Sequence, residues 1–310
     1  MRWAKSYAKT CAVEPRREAT RRAGSRCRFA RLTGAYPYPM KRKAKRSGID
    51  APRPAARSPK ARAGQTSSAP SVEIRRHPDY ITAVMAGPEG NHLNAAMATA
   101  LIELAHEVED DEAVKLLVVS GADGAFCSGF DDDVDPQVVE TLAALAKPTV
   151  ALIDGDALDE GLELAMALDI RAAVAGAHFG LRQLACGTLP RFGGTQRLPR
   201  LVGAAQALRM ILTGAVIDGR RAMESGLVTY LAEDREQFSV VAGQLIESIT
   251  SRGPIAARLV KEAVVKGFDM TLGQGIRLEE DLYALLQTTE DRAEGVRSFL
   301  EKRKPLFKGI

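Results

Sequence analysis

Several kinds of chemical equipment are missing from this chain of 310 residues. Its four cysteines, Cys11, Cys27, Cys127 and Cys186, include no pair at zinc-ligand or CxxC spacing, so reduced thiols of a cytosolic protein are the default. Its four histidines, His77, His92, His106 and His178, show no metal-ligand spacing. They are read as surface or structural residues, and no metal is expected. There is no GxSxG elbow, no HExxH, no P-loop and no GxGxxG after a strand, which removes the signatures of the α/β-hydrolases, zinc peptidases, P-loop enzymes and dinucleotide enzymes. No apolar run reaches the roughly 20 residues of a membrane-spanning helix. The N-terminus lacks the apolar h-region of a secretory signal.

What is present begins with a divided charge. Residues 1–70 carry 19 Lys and Arg against three acids, Glu14, Glu18 and Asp50. The other 240 residues carry 24 basic and 36 acidic side chains, so a basic tail precedes an acidic body. The tail is rich in Arg, Ala, Pro and Ser and buries too little apolar surface to offset the entropy of ordering, so it reads as disordered. Its role stays open between an organelle transit peptide, a "KRKAKR" (Lys41–Arg46) contact with nucleic acid or anionic lipid, and a dispensable extension. No other part of the chain reads as nucleic-acid binding. A cytoplasmic location is expected, with organelle targeting by the tail as the alternative.

Order is expected from Ser71. "SVEIRRH" and "YITAVMA" alternate like an edge hairpin. Met97, Leu101, Leu104, Ala105 and Val108 share one face of an amphipathic helix. "KLLVVSG", "PTVALIDG" and "IRAAVAG" read as short buried strands separated by helices, an α/β rhythm with substantial parallel sheet. After residue 235 only helical patterns remain. Pro254 opens one, and Gly267, Gly273 and Gly275 are expected to break the run. The late apolar positions Leu278, Leu282, Leu285, Leu286 and Phe299 call for a partner surface.

Two strand-to-loop transitions carry the chemistry: "GAFCSGFDDD" (Gly124–Asp133) and "DGDALDEGLEL" (Asp154–Leu164). Glycine-flanked loops that enter helices leave backbone N–H groups free. Two such groups on one point make an oxyanion hole, suited to a thioester that becomes an enolate and worth about 3 kcal/mol per donor. Glu163 lies one turn inside the second helix among Leu162, Leu164, Ala165 and Met166. Burial there would raise its pKa toward neutrality and suit it to proton transfer.

The body resembles the crotonase superfamily, the enoyl-CoA hydratases and isomerases. The resemblance rests on "GAFCSGFD", "KPTVALIDGDAL", "ELAMALDIRAA", "HFGLRQLACGTLPRFGGTQRLPRLVG" and the closing "FLEKRKPLFKG". It implies an α/β fold with a ββα spiral core over residues 71–245 and a helical C-terminal trimerisation region over residues 246–310, behind the extension of residues 1–70. It also implies a homotrimer or homohexamer, an acyl-CoA thioester substrate and no separate cofactor, coenzyme A being part of the substrate. By position, Phe130 and Glu160 supply the two oxyanion N–H groups and Glu163 is the first catalytic glutamate. Ser128, Phe299 and Lys302 fall at coenzyme A contacts.

The chain departs from that family at three places. Asp159-Glu160-Gly161 replaces three small residues, and for Asp159 a favourable place at the helix dipole is the preferred reading. Gln183 stands where the second catalytic glutamate is expected. It cannot exchange a proton but can orient a water, while Glu160 could replace the lost acid. The segment from Asp131 to Lys147 is short for a lid, which would admit a wider or cyclic acyl group. Hydration of a 2,3-unsaturated acyl-CoA is the expected activity. Isomerisation, hydration or hydrolysis of a cyclic enoyl-CoA, and a non-catalytic acyl-CoA- or RNA-binding role are the alternatives.

Overall fold

The computed structural model describes residues 70–310. The basic extension read over residues 1–70 lies outside them, apart from its last residue.

Two sheets organise the core. Strands β1 (Ser71–Arg76), β2 (Tyr80–Ala86), β3 (Leu116–Gly121), β5 (Thr149–Ile153), β7 (Ile170–Val174) and β10 (Tyr230–Ala232) form the first, in that spatial order. Strands β4 (Ala125–Cys127), β6 (Asp156–Leu158), β8 (His178–Gly180) and β9 (Ile217–Asp218) form the second. The β1–β2 hairpin is antiparallel, and β2, β3, β5, β7 and β10 are parallel. In the second sheet β4, β6 and β8 are parallel, and β9 closes it antiparallel. After the β1–β2 hairpin, successive turns of chain give one strand to each sheet and then a helix. Thus β3 and β4 lead to α3 (Gln137–Ala144), and β5 and β6 lead to α4 (Glu160–Ala167). This is the ββα spiral expected from the sequence.

The long elements follow from simple patterns. Leu116–Val119 of β3 are fully buried, as a strand covered on both faces requires. Helix α2 (Ala95–Asp110) starts where the Asn94 side chain accepts the Met97 N–H at 2.9 Å. It buries Met97, Leu101, Leu104, Ala105 and Val108, each of the larger ones contributing about 1.5–3 kcal/mol of transfer free energy. Before it, the short turn α1 (Pro88–Asn91) contains Glu89 and Gly90 at positive φ.

The two stretches read as loops differ in the structure. Each holds a three-residue strand, β4 and β6, too short to display an alternation. Gly161 explains how they meet α4. A Cβ there would run into the carbonyl oxygen of Cys127, so only glycine lets the first turn of α4 sit against β4.

Helices α5 (Gly194–Val202), α6 (Ala204–Thr213) and α7 (Gly219–Glu224) follow the spiral, then α8 (Arg235–Thr250), α9 (Pro254–Phe268), α10 (Leu272–Gln287) and α11 (Glu290–Leu300). The division drawn at residue 245 falls inside α8, which packs on β7 and β10. Pro254 opens α9 as expected, but the break comes at Asp269–Thr271. Gly273 and Gly275 lie inside α10, and Gly275 faces Gly267 of α9, the place of its absent Cβ standing 3.7 Å from Gly267 Cα, an ordinary van der Waals distance. Helix α9 has no fully buried residue, and Val260, Val264, Phe268, Leu272, Leu285 and Phe299 are exposed. No helix among the described residues is long and apolar enough to cross a membrane.

Candidate active site

Glu163 is the most informative residue. It is 0% exposed, one turn into α4, surrounded by Leu162, Leu164, Ala165 and Met166. Its Oε1 accepts the N–H groups of Phe192 at 2.8 Å and Gly194 at 2.7 Å. Loss of hydration pushes its carboxyl up to about 7. The two backbone N–H groups oppose that rise and the negative charge of Glu160 adds to it. The group is thus poised to give and take a proton near neutral pH. The "PRFGG" turn, between the short 3₁₀ helix Gln183–Cys186 and α5, supplies both donors.

Gln183 meets Glu163 directly. Its Nε2 donates to Glu163 Oε2 at 3.2 Å, while its buried Oε1 has no partner among the described residues. The side chain is 5% exposed. A buried, unpaired acceptor costs about 1–3 kcal/mol unless something fills the place. Beside an acid of near-neutral pKa, that something has the chemistry of a water or a substrate hydroxyl.

The two positions read from the sequence as oxyanion donors lie on neighbouring segments. Leu93 N–H donates to the Gly129 carbonyl and Asp131 N–H to the Leu93 carbonyl, a bridge that leaves the intervening Phe130 N–H without a partner among the described residues. The Glu160 N–H, first in α4, likewise has none. Gly129 and Glu160 are adjacent, for a Cβ on Gly129 would lie 3.3 Å from Glu160 Oε2. The Phe130 ring packs edge-on against Phe192, centroids 4.9 Å apart, and ties the first loop to the turn that holds Glu163.

Asp159, read as an acid favourable at the helix dipole, stands at the start of that helix. It is the N-terminal cap of α4, but its carboxylate makes no capping hydrogen bond. It instead accepts the Arg182 N–H at 2.6 Å and pairs with the Arg182 guanidinium at 2.5 Å. Its backbone, at φ 50° and ψ −121°, lies in a region that favours glycine. The small residue expected there has been replaced at a cost in strain that the Arg182 contacts offset in part.

The remaining site residues are distributed as follows. Ser128 Oγ donates to the Glu89 carbonyl at 2.6 Å. Phe299, 82% exposed on α11, and Lys302 just after it have no hydrogen bond or ion pair to the Glu163 region among the described residues. An apolar cavity of about 550 Å³ lies beside Phe299, lined also by Leu286, Val296, Leu300 and Phe307. The sequence reading passed over His92. Its ring stands between Ser128 Oγ at 3.5 Å and Asp131 Oδ1 at 3.4 Å, partners 36 and 39 residues away. Spacing along the chain gives no signal of these contacts. His77 stacks on Tyr80 and His178 faces Asp156.

In this ββα spiral a buried carboxyl of raised pKa stands one turn into the helix whose first N–H, like that of Phe130, has no partner among the described residues. The chain belongs to the enoyl-CoA hydratase/isomerase family, whose model matches residues 81–310. An (E)-benzylidenesuccinyl-CoA hydratase of Thauera aromatica is 34% identical over 255 residues, covering 77% of this chain and 98% of the relative. A mitochondrial methylglutaconyl-CoA hydratase of Rattus norvegicus is 35% identical over 238 residues, covering 71% and 76%. The crystal structure of an enoyl-CoA hydratase from Bacillus anthracis superposes with a TM-score of 0.74 at 32% identity, covering 77% of this chain and 99% of that one.

Proposed function

We propose that the protein adds water to a 2,3-unsaturated acyl-CoA thioester. The observation that carries this reading is the fully buried Glu163, held near neutral pKa beside the unpaired oxygen of Gln183. The Phe130 and Glu160 N–H groups bind the thioester oxygen and stabilise the enolate as charge develops on it. Glu163 takes the proton of a water that Gln183 orients, and the water oxygen bonds to the β-carbon. Ser128, Phe299 and Lys302 contact the coenzyme A part of the substrate. No separate cofactor takes part.

The exposed apolar faces of α9, α10 and α11 support assembly as a trimer, or as two trimers, with Phe299 and Lys302 reaching a neighbour's ligand. The short lid, with only the eight-residue α3, supports a bulky acyl group. So does the likeness to a hydratase named for a benzylidenesuccinyl thioester.

The test is loss of the conjugated enoyl absorbance with crotonyl-CoA and, separately, with a 3-aryl-substituted enoyl-CoA. Hydration of either supports the reading, and faster hydration of the aryl substrate supports the bulky acyl group. No loss with both, alongside turnover of a cyclic enoyl-CoA by ring opening, would overturn it.

A further inference from the structure

Arginines 182, 191 and 197 lie on the segments around Glu163, and two of them are engaged within the fold. Arg182 pairs with the Asp159 carboxylate. Arg197 donates to the Phe192 carbonyl at 2.7 Å and lies 3.9 Å from Glu140. Arg191 differs. Its side chain is exposed, no ion pair engages it among the described residues, and its hydrogen bond to the Asp131 carbonyl is a long one, 3.5 Å. A guanidinium is a planar fork of N–H donors with no acceptor, so most of its bonding capacity is unused here.

Its placement gives the spare charge a use. The Arg191 N–H, like those of Phe192 and Gly194, opposes the rise in the Glu163 pKa, so the backbone of this residue lies at the acid. The guanidinium carbon stands 4.9 Å from the centre of the Phe192 ring, and that ring packs on Phe130. The contact with the Asp131 carbonyl carries the side chain to the residue after Phe130. Arg191 therefore spans from the turn that holds Glu163 to the segment that carries one oxyanion N–H. An acyl chain with its thioester oxygen on the Phe130 N–H and its β-carbon at Glu163 runs between those segments. Whatever extends beyond the β-carbon comes to the Phe192 ring and the guanidinium over it. An uncharged chain that covered the fork would strip water from its donors and return nothing, whereas a carboxylate pairs with two of them in its plane. The phosphates of coenzyme A carry the same kind of charge, but the long pantetheine arm separates them from the thioester.

We propose that Arg191 is a specificity residue that binds a free carboxylate of the acyl group. The substrate is then the mono-thioester of an unsaturated dicarboxylic acid, with its second carboxylate a few bonds beyond the β-carbon. This rests on the hydration reading, which supplies the direction of the acyl chain. Stacking on Phe192 sets the plane of the fork and leaves its edge for the anion.

The experiment measures hydration of glutaconyl-CoA, of the methyl ester at its free carboxyl and of crotonyl-CoA. Calorimetry measures binding of the saturated glutaryl-CoA and butyryl-CoA and of coenzyme A itself. It uses wild type, Arg191→Gln and Arg191→Lys, with thermal unfolding as the control on integrity. Wild type should favour glutaconyl-CoA over its methyl ester by about 30-fold in kcat/KM, and Arg191→Gln should remove that preference. Arg191→Lys keeps the charge but not the fork, and its preference should fall between the two. The affinity ratio of glutaryl-CoA to butyryl-CoA should likewise drop about 30-fold in Arg191→Gln. Ratios that agree within about threefold in folded wild type and Arg191→Gln overturn the assignment. An equal weakening of glutaryl-CoA, butyryl-CoA and coenzyme A overturns it too, and puts Arg191 on a phosphate. A wild type that hydrates the three thioesters without preferring the free carboxylate removes the carboxylate site and leaves the hydration reading. A wild type that hydrates none of them, yet binds glutaryl-CoA more tightly than butyryl-CoA only while Arg191 is present, removes the hydration reading and supports the site.

Discussion

Glu163→Gln separates stability from activity. The folded protein holds the Glu163 carboxyl at about 7, against an ordinary value of 4.5, because burial penalises the charge. Between those two values the folded state binds more protons than the unfolded state, so stability falls as pH rises through that window. Each pKa unit corresponds to about 1.4 kcal/mol, which makes ionised Glu163 a burden of roughly 3 kcal/mol above pH 7. Glutamine keeps an acceptor for the Phe192 and Gly194 N–H groups. Its new NH₂ takes the place of Oε2, so the Gln183 amide turns over and its oxygen accepts from that NH₂, replacing the bond that Gln183 Nε2 gives Oε2 in wild type. The variant should therefore be more stable than wild type by about 2–4 kcal/mol at pH 8, with the gain gone near pH 4.5. For a folded unit of this size that is a rise in Tm of about 5–12 °C. Activity should move the other way, falling at least about 100-fold with thioester binding largely kept. Urea unfolding at several pH values between 4.5 and 8.5, run beside the enoyl absorbance assay, measures both. A variant less stable than wild type at pH 8, or a gain that does not depend on pH, would refute the argument from burial.

Other expectations concern the groups around this acid. Gly161→Ala should drive its methyl into the Cys127 carbonyl, cost about 2 kcal/mol or more, and lower kcat by displacing the first turn of α4; calorimetry and kinetics check both. Asp159→Gly relieves a positive-φ strain of about 1–3 kcal/mol and loses a partly exposed ion pair and one hydrogen bond, so urea unfolding should show a net change within about 1 kcal/mol. In wild type, kcat/KM should fall about tenfold per unit as pH drops below about 7, since protonated Glu163 cannot take a proton from water. Val264→Asp, on the exposed apolar face of α9, should shift the sedimentation coefficient toward that of the single chain.

The sequence was legible where a single element declares itself. The amphipathic face of α2 and the apolar run of β3 need only local pattern, because burial repeats at the element's own period. The short strands β4 and β6 have three residues each, and no period can show in three. The glycines expected to break the run lie inside helices α9 and α10 instead, because a glycine costs a helix interior only about 1 kcal/mol, which tertiary packing overrides. Glu163 could be singled out because an acid among leucines and alanines has few places to go but inward. Its environment could not, since the donors Phe192 and Gly194 come from 29 and 31 residues downstream. The Asp159–Arg182 pair and the Ser128–His92–Asp131 contacts were hidden for the same reason: spacing along the chain carries no trace of them.

The most direct measurement of the central claim is a crystal structure with a bound saturated acyl-CoA. The thioester oxygen should lie at roughly 2.7–3.1 Å from both the Phe130 and Glu160 nitrogens, with the β-carbon facing Glu163 and Gln183. A thioester oxygen bonded to neither nitrogen, or a β-carbon turned away from Glu163, would contradict it.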